Sequence, residues 1–281
     1  MDYVSPAELV SDALRAAEKK THLSVRDLLI RGTLAGGFLG YATSMAFVTL
    51  SQGLPAIVSA IIFPAGFVLL VLLGLELATG NFAVLPAAWM DGRITAAAML
   101  RNWSWVYFGN LLGSVLYALM FYAAITNMGT GNGGALADQF RQLAQKKTLL
   151  YASLGAAGWG TAFIKAILCN WMVTVGAMLA FVSRSTAGKV LAMWLPITMF
   201  FALGYEHSVV NMFVIPTGML LGAPISPGQW WLWNQIPVTL GNILAGVALT
   251  GVALWLTHGR REDRMVRPTD AAAEAISLKA S

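Results

Sequence analysis

The chain has 281 residues, of which 57% are hydrophobic and only 11% charged, where an ordinary soluble domain has about a quarter charged. That composition excludes a soluble globular protein and a disordered chain, and the single cysteine, Cys169, excludes a disulfide-built secreted scaffold. The net charge of +5 does not point to nucleic acid, because the basic residues sort to one side of the membrane arrangement that follows.

Ser5-Pro6-Ala7-Glu8 is a capping box with proline at the first helical position, and it predicts a helix to about Lys20. Its apolar positions, Leu9, Val10, Ala13, Leu14 and Ala17, suit a helix lying in the membrane interface. Asp2, Glu8, Asp12, Arg15, Lys19 and Lys20 make this segment too charged for a cleavable signal. Apolar runs long enough to span a bilayer follow at 28–50, 56–90, 103–125, 154–181, 190–221 and 231–256. The second and fifth are too long for one straight pass. The expected organisation is a cytoplasmic amphipathic helix over 1–24, a transmembrane domain over 25–258 with repeats near 25–126 and 150–258, and a cytoplasmic polar tail over 259–281.

Six crossings put both ends on one face. Of the 18 Lys and Arg, 14 fall on that face, in the N-terminal segment, the loops holding Arg93, Arg101, Arg184 and Lys189, and the tail. Arg141, Lys146 and Lys147 lie opposite, and Lys165 lies within a span. The positive-inside rule then places both termini in the cytoplasm of a multi-pass protein of the cell (inner) membrane.

The chain contains one pattern twice. Glu76, Asn81, Val84 and Pro86 recur as Glu206, Asn211, Val214 and Pro216 at an offset of 130. Asn102, Gly109 and Asn110 recur as Asn234, Gly241 and Asn242 at an offset of 132. With three spans per unit the halves lie in opposite senses, which is an inverted repeat with its site near the midplane where discontinuous helices meet. The breaks are expected near 78–81 and 206–208. Glu76 and Glu206 are the only carboxylates within the spans, and intramembrane charge marks functional candidates. A second reading makes them props for broken backbone. Gly32, Gly36 and Gly40, spaced by four, suit close helix packing.

Four segments in order carry a resemblance: Gly74-Leu75-Glu76-Leu77-Ala78-Thr79-Gly80-Asn81, then Asn102-Trp103 with Gly109-Asn110-Leu111, then 165–173 around Asn170, then 204–213 around Glu206-His207-Ser208. Over about 5–256 the chain resembles the formate/nitrite transporter family. The resemblance implies an aquaporin-like all-α protomer with six transmembrane helices in a 3+3 inverted repeat, broken second and fifth helices, and assembly as a homo-pentamer in the lipid bilayer. By the same match, His207 corresponds to a central histidine, Thr79 to a threonine on the broken second helix, and Asn170 and Asn211 to polar residues beside the pathway. Phe63, Phe67 and Phe200 are expected at an outer apolar constriction, and Leu77, Val173 and Val210 at an inner one. Ala78 is expected at the inner constriction as well, and it stands where the family usually has a bulky aromatic, so that constriction is expected to lack its usual ring. A basic residue that many members carry upstream of the Asn170 position has no direct match, which leaves Lys146, Lys147 and Lys165 as candidates.

The function this implies is a channel or transporter for small monovalent anions of weak acids, formate, nitrite or similar, with proton exchange at His207, the span residue whose unperturbed pKa lies near neutrality. A hydrosulfide or acetate channel of the same fold is the alternative. An intramembrane enzyme or a structural membrane protein is the reading from another class; no HExxH, GxSxG or Cys/His cluster is present for the former. The expected partners are the anion, a proton and lipid, with no metal, cofactor or nucleic acid.

Overall fold

The computed structural model describes residues 2–259. Those residues form helices, and the one β-bridge among them joins Tyr3 to Ser183. The expected polar tail over 260–281 lies outside the described residues.

The chain opens with α1 (Pro6–Thr21), where the Ser5 and Glu8 capping box forms as the sequence demands. Its apolar face is not on lipid. Leu9, Val10, Ala13, Leu14 and Ala17 are buried with Val84, Leu85, Ala87, Ala88, Met178 and Trp255. A face covered by protein cannot also lie in the membrane interface, so the interfacial expectation is corrected.

Next comes α2 (Val25–Ser51), about 40 Å long at 1.5 Å per residue. It packs along α6 (Ala96–Ile125). The approach is backbone to backbone: a Cβ at Gly36 would run into the Asn110 carbonyl, and one at Gly113 into that of Thr33. Between them lie three shorter helices, α3 (Ala56–Ile62), α4 (Pro64–Leu72) and α5 (Ala78–Met90). Pro64 starts α4, as expected for a residue that brings no N–H to the helix before it.

The second half runs through α7 (Gly134–Lys147), α8 (Leu149–Ser153), α9 (Ala156–Leu179), α10 (Thr186–Ala202), α11 (Ser208–Leu220) and α12 (Pro227–Gly259). Along α12 the hydrogen bonding widens to i→i+5 in Trp231–Gln235, Ala245–Val252 and Trp255–Gly259. The sequence reading did not single out α7 as a helix; it packs on α11 as α1 packs on α5.

By length and hydropathy α2, α6, α9 and α12 can each cross a membrane. The other two expected crossings are each made of shorter apolar pieces. The first break is residues 73–77, a little before the expected position, and α5 has already begun at Ala78. The second is 203–207, and α11 begins at Ser208. The two loops share one conformation. Gly74 and Gly204 both have φ +64, a left-handed setting that glycine adopts without a Cβ penalty. Leu77 at φ −116, ψ 118 matches His207 at φ −110, ψ 120. The largest buried cluster surrounds both breaks and contains Phe63, Phe67, Phe200, Leu77, Val173, Val210 and Phe213. Large apolar side chains such as Leu34, Met45, Leu116, Ile164, Leu195 and Leu240 are exposed outside it, a surface suited to hydrocarbon.

Candidate functional site

A broken helix inside an apolar core leaves orphan backbone groups and needs side chains to satisfy them. Two asparagines do this. Asn110 Oδ1 accepts from the Ala78 N–H at 2.9 Å, while its Nδ2 donates to the carbonyls of Gly32 and Glu76, each at 2.9 Å. Asn242 Oδ1 accepts from the Ser208 N–H at 2.9 Å, and its Nδ2 donates to the carbonyls of Ala166 at 2.8 Å and Glu206 at 3.1 Å.

The carboxylates form a second duplicated network. Lys20 Nζ lies 2.7 Å from Glu76 Oε1, and Asn81 Nδ2 donates to Glu76 Oε2 at 2.8 Å and to Asn102 Oδ1 at 2.8 Å. Asn102 Nδ2 closes the ring on the Lys20 carbonyl at 3.3 Å. In the other half, Lys147 Nζ lies 2.7 Å from Glu206 Oε2, Asn211 Nδ2 donates to Glu206 Oε2 at 2.7 Å and to Asn234 Oδ1 at 2.8 Å, and Asn234 Nδ2 reaches the Lys147 carbonyl at 2.9 Å. Tyr151 adds a bond to Glu206 Oε1 at 2.9 Å. Glu206 therefore does not brace the broken backbone of the other half; Asn110 and Asn242 brace the two breaks. Of the candidate lysines, Lys147 is buried and paired with Glu206, whereas Lys146 is exposed. Lys165 sits 6.0 Å from the Tyr151 ring centre. Lys20 and Tyr151 were not among the residues singled out from sequence, and Lys147 was one of three candidate basic residues with no partner assigned. The available signal was weak: each lysine closes an amphipathic segment, and the two are 127 residues apart.

Between the two braced breaks, Thr79 Oγ1 lies 3.0 Å from His207 Nε2. His207 is the N-cap of α11, and its Nδ1 accepts from the Val210 N–H at 3.1 Å. A backbone N–H can only donate, so Nδ1 carries no proton here and the ring proton is on Nε2, facing Thr79. Phe200 lies against the His207 ring at 5.7 Å between centres, and Phe63 meets Phe200 edge-on at 5.7 Å. Asn170 Nδ2 bridges the halves, donating to the carbonyls of Thr79 at 3.2 Å and Asn242 at 2.6 Å. The Oδ1 atoms of Asn170 and Asn211 and the Ser208 hydroxyl are buried without a partner.

On the face that carries α1, a cavity of about 300 Å³ reaches the first turn of α5 and is lined by Lys20, Phe67, Leu77, Gly80, Asn81 and Lys189 among others. Phe67 lines this cavity together with Leu77 and shares one buried cluster with Phe63 and Phe200. Ala78 is not among the residues lining this cavity. It is fully buried with Leu28, Phe82 and Val106, because the first residue of α5 turns toward α2 and α6.

The formate/nitrite transporter family model matches residues 7–256. The chain belongs to that family. It is 36% identical over 276 residues to a probable formate transporter of Methanothermobacter thermautotrophicus, covering 91% of this chain and 97% of the relative. It is 30% identical over 290 residues to the formate channel FocA of Escherichia coli (strain K12), covering 93% and 97%. Among solved structures, it superposes on an FNT family ion channel with TM-score 0.77 at 27% identity, covering 89% of this chain and 98% of that one. A pentameric formate channel with formate bound gives TM-score 0.68 at 26% identity, covering 84% and 98%. The formate/nitrite transporter family moves solutes; its members are not enzymes.

Proposed function

We propose that this member of the formate/nitrite transporter family is a channel or transporter for small monovalent anions of weak acids, formate or nitrite, with proton exchange at His207. The observation that carries the reading is the Thr79–His207 contact at 3.0 Å, made where two braced helix N-termini converge beneath Phe200. Six crossings in a 3+3 inverted repeat, a homo-pentamer, and an inner-membrane location with both termini cytoplasmic belong to the same reading. The matched loop conformations, the pentameric relative and the charge distribution support them in turn.

The physical argument concerns the cost of a dry centre. Bringing a bare carboxylate into a low-dielectric site costs about 20 kcal/mol in the ideal limit, and several after relaxation. Protonating an acid of pKa about 3.9 at pH 7 costs about 4 kcal/mol. A path flanked by Phe63 and Phe200 on one side and Leu77 on the other therefore favours the neutral acid over the bare anion. Helix N-termini at Ala78 and Ser208 draw the anion toward the centre, and the Nε2–H of His207 is the group placed to meet it.

The cap sets the order of events. His207 can give up a proton only from a ring that holds two, and the second position, Nδ1, is occupied by the Val210 N–H. Proton loading thus requires that this first-turn bond of α11 open, and delivery restores it. Flux in proteoliposomes of formate, nitrite, hydrosulfide and acetate at two pH values tests the function. Passage of formate or nitrite with an accompanying proton is expected; impermeability to all four refutes transport of weak-acid anions.

A further inference from the structure

Two basic residues of the membrane domain are left over from the paired networks. Arg31 lies about 9 Å into α2, and Lys165 lies about 13 Å into α9. The two are equivalent. Asn110 donates to the carbonyl of Gly32 and Asn242 to that of Ala166, in each case the next residue along the chain. The close helix crossings repeat as well: Gly109 meets Leu29 and Gly32, and Gly241 meets Phe163 and Ala166. Both basic side chains are partly buried, and neither has a hydrogen bond or a carboxylate partner among the described residues. Lys165 Nζ is 6.0 Å from the Tyr151 ring centre, the outer limit of a cation–π contact. The cations near Arg31 are engaged: Arg101 donates twice to the Leu23 carbonyl at 3.1 Å, and Arg26 lies 3.8 Å from Asp27. Both leftover residues border surface suited to hydrocarbon. Ile30 and Leu34 are exposed beside Arg31, Ile164 beside Lys165, and Phe108 and Leu240 on the two helices that cross there.

We propose that Arg31 and Lys165 are matched phosphate anchors, each holding the headgroup of an anionic phospholipid at its helix crossing. An unpaired cation at hydrocarbon level is costly and calls for an anion. A long basic side chain can snorkel, with its stem on apolar surface and its head at the phosphates. Glu76 and Glu206, the only carboxylates within the spans, are buried and paired, so a neighbouring copy has none to offer there. A lipid brings its phosphate together with acyl chains, which exposed Ile30, Leu34 and Ile164 can receive; free phosphate brings none. Arg31 offers a planar fork for two phosphate oxygens, and Lys165 a point charge. In an inverted repeat the two residues serve opposite leaflets. That assignment rests on the orientation proposed above; the preference for an anionic headgroup does not.

The test is a lipid titration of the full-length protein in detergent, read by native mass spectrometry, which reports headgroup preference whatever the orientation. Phosphatidylglycerol is compared with phosphatidylcholine of the same acyl chains, and with inorganic phosphate alone. The parent is expected to hold phosphatidylglycerol more tightly than phosphatidylcholine, and inorganic phosphate should not displace it. Arg31→Gln and Lys165→Gln should each weaken phosphatidylglycerol binding at one site about fivefold, the worth of one basic side chain at an anionic lipid. The double variant should lose the preference, whereas Arg31→Lys and Lys165→Arg should keep it. Arg26→Gln, which removes only an exposed charge, should leave it unchanged. A preference absent from the parent, unchanged in the double variant, lost in the charge-keeping variants or erased by inorganic phosphate overturns the proposal. So does an oligomer that falls apart in the double variant while phosphatidylglycerol binding persists, which would make the two residues contacts between copies. If the double variant does not fold, the single variants decide: an unchanged affinity in both overturns the proposal, and a fivefold loss in each supports it.

Discussion

The hydroxyls of Tyr107 and Thr239 are 2.7 Å apart, and the two residues are separated in sequence by 132, the offset that relates Asn102 to Asn234 and Asn110 to Asn242. Equivalent residues of two repeats touch only where the axis relating them passes, so the proposed pseudo-two-fold runs between these hydroxyls. Gln235 Nε2 donates to the Tyr107 hydroxyl at 2.7 Å and ties the contact to α12.

Removing that hydroxyl should therefore loosen the junction of the halves. Tyr107→Phe removes the shortest of the Gln235 amide's bonds, leaving only the Ser208 carbonyl at 3.4 Å and the Thr239 hydroxyl at 3.5 Å, and is expected to cost about 1 kcal/mol. Thermal unfolding of the detergent-solubilised protein reads this directly; an unshifted midpoint would show that the junction does not depend on the bond.

The two lysine–glutamate pairs differ in burial, with side-chain exposure of 24% for Lys20 and 11% for Lys147. Taking away one member of a buried pair strands the other and costs about 3–5 kcal/mol. Lys147→Met should approach that range and Lys20→Met should fall below it. Glu206→Gln added to Lys147→Met should recover part of the loss. Equal midpoints for the two single variants would contradict the ranking.

Ala78 is packed on α2 and α6, so Ala78→Phe is an overpacking change worth about 1–3 kcal/mol, not a narrowing of the path. Lower yield or a lower unfolding midpoint is the expected result. Normal stability with slowed flux would return Ala78 to the constriction.

The N-terminus is clasped to the loop between α9 and α10. Asp2 accepts from the Ser185 N–H at 2.7 Å, the Ser183 hydroxyl at 2.9 Å and the Arg184 N–H at 2.9 Å. The hydrogen bonds from Ser185, then Ser183, hold its carboxyl below the usual carboxylate range. A depressed folded-state pKa gives stability that is present above the unfolded value and lost as pH falls through the folded one. Limited proteolysis of the first residues should thus speed up only in the acid range below ordinary carboxylate titration, and Asp2→Asn should be cleaved at a rate that does not change there. Cleavage that begins near neutrality would assign the pH response to another group.

The breaks were legible because they write themselves into sequence as over-long apolar runs interrupted by repeated Glu, Asn and Pro. Their supports were less so. Asn110 and Asn242 stood out as a repeat, yet nothing in a linear pattern says that a carboxamide will cap a helix start more than thirty residues away. The pairing of Lys20 and Lys147 with Glu76 and Glu206 depends on α1 and α7 folding back over the membrane domain, and two polar amphipathic segments share too few residues to reveal it. Ala78 misled for a geometric reason. At the first residue of a helix, the side chain's direction is set by the loop before it, and family position alone does not fix that. Phe67 was grouped with Phe63 by family position, and sequence alone does not show that it also lines the α1-face cavity with Leu77.

The central claim is that His207 meets the substrate with a titratable group. His207→Asn is the decisive variant, because asparagine is a good N-cap and can keep the Val210 N–H satisfied while removing Nε2. Formate flux and lumenal pH are measured together in proteoliposomes at pH 5 and pH 8, with and without a membrane potential. The account predicts a parent that carries one proton with each formate, and a variant slower by about tenfold, the worth of one hydrogen bond to a charged group, whose residual flux follows the membrane potential instead of pH. A variant that carries formate at the parent's rate, with the parent's pH profile and proton accompaniment, contradicts it.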